Sequence, residues 1–201
     1  MLRVGLTGGL ASGKSFVGHK LAELGCTLIE ADELGHQVLL KGAEAYDAVV
    51  NEFGEDILDE NRAINRRRLG LKVWNDPERL AKLNSFVHPA VFAREDGMIA
   101  QIARKDPAAI VVVEAAILVE TGSYRRFDRI IVVVCTVEEQ MERAMKRGAF
   151  TKEDVLARLS RQLPMEEKLR VADYVIDTSG TKEHTVEQVK TVYNSLRSLS
   201  A

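Results

Sequence analysis

Four continuous apolar runs punctuate the chain, at residues 2–6, 27–29, 109–113 and 129–134, and a shorter fifth falls at Tyr174-Val175-Ile176. Their apolar positions are consecutive rather than alternating, as in strands buried on both faces of a parallel sheet. Helical spacing takes over between them. Residues 16–24 form the first such segment, with Gly25 placed to end it. This alternation predicts an α/β fold, a doubly wound parallel five-stranded sheet with right-handed crossovers. Ligands of such sheets bind at the carboxyl ends of the strands. Gly8 to Ser15, Asp32 and Glu114 occupy those places.

The spacing of the runs is uneven. About eighty residues separate the second strand from the third, far more than one crossover helix needs. That stretch carries helical patterns at 33–41, 44–53, 66–74, 77–86 and 89–104. Asp76-Pro77 is a start signal, a capping Asp followed by Pro at the first helical position. Residues 31–105 therefore read as a helical substrate-binding insertion in one domain, 1–201. Segments 1–30 and 106–201 form its core. After the fourth strand, Thr136-Val137-Glu138-Glu139 is a capping box opening a helix that runs to Arg147, with Gly148 after it. A second helix starts at Thr151 and ends near Pro164. This basic helix pair, 137–165, reads as a mobile lid over phosphates. Residues 183–199 read as a closing helix.

The first strand runs into Gly8-Gly9-Leu10-Ala11-Ser12-Gly13-Lys14-Ser15. This is the phosphate-loop pattern of Gly, four residues, Gly, Lys and Ser/Thr, between a strand and a helix. It makes the fold P-loop nucleoside-triphosphate-hydrolase-like. Glycines let the backbone turn N–H groups toward one anion, and the helix N-terminus adds partial positive charge there. Lys14 is the candidate for the β- and γ-phosphates and Ser15 for Mg²⁺. Gly8, Gly9, Ala11, Ser12, Gly13 and Phe16 complete the candidate ATP contacts. Glu114 stands where a Walker B acid would hold Mg²⁺, directly or through a water. Arg143 and Arg147, four apart, share one helix face and suit phosphate. That face also reads as a solvated one, with Glu139 as partner of Arg143. Asp32 has two readings from position, a general base near the γ-phosphate or an N-cap for the next helix. His88, before Pro89, reads by itself as a loop or packing residue, and Arg66-Arg67-Arg68 as a solvated face. Asp32-Glu33-Leu34-Gly35 matches the Asp-x-x-Gly of GTPases, but the chain has no Asn-Lys pair for a guanine-reading motif.

Composition narrows the partners. The chain has 201 residues, 46% of them hydrophobic and 29% charged, which suffices for a core without structural disulfides or metal. A formal net charge of −2 argues against nucleic acid as the main partner. No apolar stretch approaches the roughly 20 residues of a membrane span, and no basic-then-apolar leader precedes the first strand. Cys26 and Cys135 read as buried free thiols in a reducing, cytoplasmic setting. The expected assembly is a monomer or a weak homo-oligomer.

Over nearly its whole length the chain resembles the dephospho-coenzyme A kinase family. The resemblance rests on residues 5–15, Ala31-Asp32, Leu83-Asn84 with His88-Pro89, and Ile117-Leu118-Val119-Glu120. It continues at Gln140, Arg143, Arg147, Gln162-Leu163-Pro164, Lys168 and 172–177 before Gly180. It implies ATP-dependent phosphorylation of the ribose 3′-hydroxyl of dephospho-coenzyme A, with Mg²⁺. It also implies Asp32 as base or orienting group, His88 in the acceptor-binding insertion, and Arg143 and Arg147 on the nucleotide side. The chain departs from the family pattern at Phe16, usually Thr, at Glu30 of Glu30-Ala31-Asp32, usually Asp, and at Ala116, usually Pro. It departs also at Thr178, usually Asn, and at Gly148, often Asp or Asn. Another P-loop nucleoside monophosphate or small-metabolite kinase shares loop, insertion and lid, and a non-catalytic ATP-binding module shares the loop. Acceptor profiling separates the three.

Overall fold

The computed structural model describes residues 1–74, 76–146, 151–160 and 162–200. They fall into two compact units, one of residues 1–30 and 102–201, the other of residues 31–101.

The first unit is built on five parallel strands, β1 (Leu2–Gly8), β2 (Thr27–Glu30), β3 (Ile110–Glu114), β4 (Arg129–Val134) and β5 (Tyr174–Asp177), in the order β2-β3-β1-β4-β5. The expected sheet is therefore present, and the middles of its central strands β3 and β4 are runs of Val and Ile because both faces are covered. On one face Val4, Leu6, Val112, Ile131 and Ile176 meet Val17 and Leu21 of α1 (Lys14–Glu23). Val189, Val192 and Leu196 join the same cluster from the C-terminal helix, Lys182–Ser200. On the other face Ile130 and Val132 pack with Leu118, Phe127 and Met165. Each buried Val, Leu or Ile contributes roughly 1.5–3 kcal/mol.

The second unit is helical: α2 (Ala31–Gln37), α3 (Tyr46–Phe53), α4 (Arg66–Val73) and α5 (Pro77–Lys105), the last ending in residues grouped with the first unit. Asn65 caps α4 by accepting from the N–H groups of Arg67 and Arg68. Asp76 accepts from the Arg79 N–H, as its capping role requires. Arg94 of α5 meets Glu44 through two parallel bonds, 2.8 and 2.7 Å, and Gln37 at 3.2 Å. It thereby ties α5 to the end of α2. The expected break at His88-Pro89 is absent. One helix runs through Pro89, because its buried face continues at four-residue steps through Val91, Glu95 and Ile99. The ring removes one backbone bond, and burial of the helix face beyond it outweighs that loss.

The remaining helices belong to the first unit: α6 (Val137–Lys146), α7 (Lys152–Leu159), α8 (Met165–Leu169) and α9 (Lys182–Ser200). Thr136 opens α6 with the expected capping box: its hydroxyl accepts the Glu139 N–H at 3.2 Å, and Glu139 accepts the Thr136 N–H at 3.4 Å. Thr151 and Asp154 do the same for α7. No helix among the described residues is long and apolar enough to cross a membrane. Both cysteines are free; Cys26 is buried and Cys135 half-buried. Burial pushes the Cys26 thiol up to about 11.

Candidate active site

β1 extends two residues past its predicted end, delivering Gly8 into the loop as the last strand residue. A Cβ at Gly8 would lie 2.3 Å from the Val133 carbonyl oxygen of β4 and 2.7 Å from Ser12 Oγ. Only glycine permits that approach. Ala11 sits left-handed at φ 53°, a strained place for a side chain, and Gly13 at φ 87°. Gly13 is the N-cap of α1 and no side chain caps the helix. The first turn of α1 thus presents its amide end to the loop.

Lys14 folds across this loop, its Nζ donating to the carbonyls of Gly9 at 2.9 Å and Gly8 at 3.4 Å. Ser15 Oγ donates to Glu114 Oε1 at 2.8 Å. Glu114 is the last residue of β3 rather than the residue after it, is buried, and pairs in register with Leu6 of β1 and Glu30 of β2. The two residues expected to serve a metal are therefore in direct contact. The Phe16 ring has two ammonium groups over it, Lys20 Nζ at 5.7 Å and Lys182 Nζ at 5.8 Å from its centroid.

Arg143 is anchored to two residues, Thr178 and Glu139. It donates to Thr178 Oγ1 at 3.0 Å, to the Thr178 carbonyl at 2.7 Å and to Glu139 Oε1 at 3.0 Å. Burial tends to raise the Glu139 carboxyl, but hydrogen bonds from Ser179, Thr136 and Gly180, with the charge of Arg143, hold it below its ordinary value. Arg147 lies outside the described residues. The loop's tip is packed rather than open: Leu10 and Ala11 meet Met141 and Ala144 of α6 and Val155 and Leu159 of α7. The helix pair read as a lid thus shares an apolar contact with the loop.

Three supporting residues had no assigned role in the sequence reading. Thr178, just past β5, is buried, donates to the Ser12 carbonyl at 2.7 Å, and lies against Gly13. Gln140 of α6 is buried with its amide against Gly9. Gln162 Oε1 accepts the Leu10 N–H at 2.9 Å. The only sequence signal for Thr178 was its departure from the family pattern.

Asp32 and His88 belong to the second unit. Asp32 lies in the first turn of α2, exposed, two residues beyond β2. The helix begins at Ala31, directly where the strand stops, so Asp32 is not the N-cap that one reading expected. His88 is mid-helix in α5 rather than in a loop, with its ring centroid 6.1 Å from Phe92. Burial lowers the pKa of His88. The fold therefore favours the neutral ring, and the unfolded chain takes up the proton first on acidification. Stability from this site is present above the ordinary value near 6.5 and is lost as pH falls through it. Between pH 7.5 and 5.5 the melting temperature of the native chain is expected to drop more than that of His88→Phe. Parallel melting curves would exclude this role.

The strand order and the glycine loop between β1 and α1 define the class, a P-loop kinase fold. The model of the dephospho-CoA kinase family, CoaE, matches residues 2–184, and the chain belongs to that family. It is 43% identical over 196 residues to the dephospho-CoA kinase of Aquifex aeolicus, covering 98% of both chains. Among solved structures it resembles TT1252 from Thermus thermophilus, with a TM-score of 0.82 at 29% identity over 96% of each chain. It also resembles the dephospho-CoA kinase from Campylobacter jejuni, with a TM-score of 0.65 at 25% identity over 96% of each chain.

Proposed function

We propose that this enzyme transfers the γ-phosphoryl group of ATP to the ribose 3′-hydroxyl of dephospho-coenzyme A, giving coenzyme A and ADP. The observation that carries the reading is the loop itself: a glycine turn on an uncapped helix N-terminus, with Lys14 lying across it, in a chain of this family. The amide end of α1 binds the phosphates, and Lys14 exchanges its carbonyl partners for phosphate oxygens. Arg143, held by Thr178 and Glu139, adds positive charge on the nucleotide side.

Ser15 Oγ and Glu114 Oε1, 2.8 Å apart, are hard oxygen donors suited to Mg²⁺, which takes one or two protein oxygens and completes its shell with phosphate and water. The ion, when bound, neutralises charge on the transferred group. Asp32 accepts the proton of the attacking hydroxyl, and the second unit, with His88, holds the acceptor. α6 and α7 exclude water, which would otherwise compete for the phosphoryl group. The alignment and the fixed charges supply most of the acceleration.

Acceptor profiling tests this reading. ADP release that requires dephospho-coenzyme A, and is not supported by nucleoside monophosphates or small hydroxylated metabolites, is the expected result. Turnover with one of the latter instead would move the enzyme to another kinase class. ATP binding with no turnover on any acceptor would leave a binding module.

A further inference from the structure

Lys168 of α8 is completely buried, an unusual place for an ammonium group. Its Nζ donates to Glu120 Oε1 at 2.6 Å and to the Ala116 carbonyl at 3.2 Å, both in the segment that leaves β3. Two more bonds converge on these acceptors. Glu120 Oε1 accepts the Leu163 N–H at 3.4 Å, and the Ala116 carbonyl accepts from Thr7 Oγ1, one residue before Gly8, at 3.5 Å. Residues 162–168 are thus fastened at one end by the ion pair. At the other end Gln162 Oε1 holds the Leu10 N–H at 2.9 Å, beside left-handed Ala11.

A buried ion pair is a poor way to gain stability. Desolvating both charges offsets most of their attraction, and apolar replacements of similar size commonly match or exceed it. Its use at this position is better explained by geometry. We propose that the Lys168–Glu120 pair is a positioning element for the phosphate loop: it fixes residues 162–163 so that the Gln162 amide clamps the loop's strained tip in its phosphate-binding form. Lys168 and Glu120 touch no substrate in this scheme and act through Gln162. The proposal rests on the loop being the ATP-phosphate site.

The test is equilibrium binding of a fluorescent ATP analogue to the full chain, with melting temperature measured alongside. Gln162→Leu is expected to weaken nucleotide binding about tenfold with little change in melting temperature. The double replacement Lys168→Met with Glu120→Leu is expected to weaken it to the same extent while remaining folded. Combining all three is expected to add nothing further, because they act in series. In steady state the KM for ATP rises and that for the acceptor does not. Nucleotide affinity within twofold of native in either variant, or full additivity in the triple, would overturn the proposal. Should the double replacement fail to fold, Gln162→Leu and Lys168→Arg, with the ammonium exchanged for a bulkier cation, decide the matter by the same readout. Binding is read without any acceptor, so failure of the clamp is distinguishable from a wrong acceptor. Native protein that does not bind the nucleotide would instead remove the reading on which the clamp depends.

Discussion

Lys14→Ala is expected to lower turnover by about a thousandfold or more while the fold persists. The ammonium group lies across the loop on the Gly8 and Gly9 carbonyls, and the side chain is only part-buried. Those carbonyls can turn to water when it is removed, so the melting temperature should stay within a few degrees of native. What would be lost is the ammonium group proposed to meet the charge that develops on the transferred group. Methionine at this position should behave like alanine, since length without charge supplies nothing to the phosphates. Steady-state ADP release, with nucleotide affinity measured in parallel, checks the prediction. Turnover within tenfold of native would show that another cation performs this role, and Arg143 would be the first to examine.

Asp32→Asn is expected to lower kcat by about 10²–10⁴ while ATP affinity changes less than about threefold. Asparagine keeps the shape and polarity of the side chain but cannot take the hydroxyl proton. Asp32 is exposed in the first turn of α2, where a negative charge also favours the helix. That helix term is worth a few tenths of a kcal/mol and leaves the chain folded. An equal loss in kcat and ATP affinity would mean that the carboxylate serves the nucleotide rather than the acceptor. Native turnover would remove the base assignment altogether.

The architecture was readable in the sequence where the signals are local. Continuous apolar runs marked the five strands, and the Gly8–Ser15 spacing marked the loop between β1 and α1. Thr136 and Glu139 announced the start of α6 because a capping box is contained in four residues. Misreadings arose where a local signal met packing. Pro89 reads as a breaker, yet α5 continues through it because Val91, Glu95 and Ile99 keep one face buried. The loop's supports stood out only as matches to, or departures from, the family pattern, and their contacts with the loop were not readable. Ser12 and Thr178 are 166 residues apart, Leu10 and Gln162 are 152 apart, and each contact exists only once the sheet has formed. Lys168 carried no sign that it would be buried, since a lone lysine among charged neighbours resembles a solvated face.

The most direct measurement is the mass of the acceptor after incubation of purified protein with ATP, Mg²⁺ and dephospho-coenzyme A. The account predicts a gain of about 80 Da, one phosphoryl group, in stoichiometry with ADP and only when ATP is present. The product should also co-elute with authentic coenzyme A and match its ribose NMR signals, which would place the new phosphate on the 3′-hydroxyl. ATP hydrolysed with the acceptor's mass unchanged would contradict it.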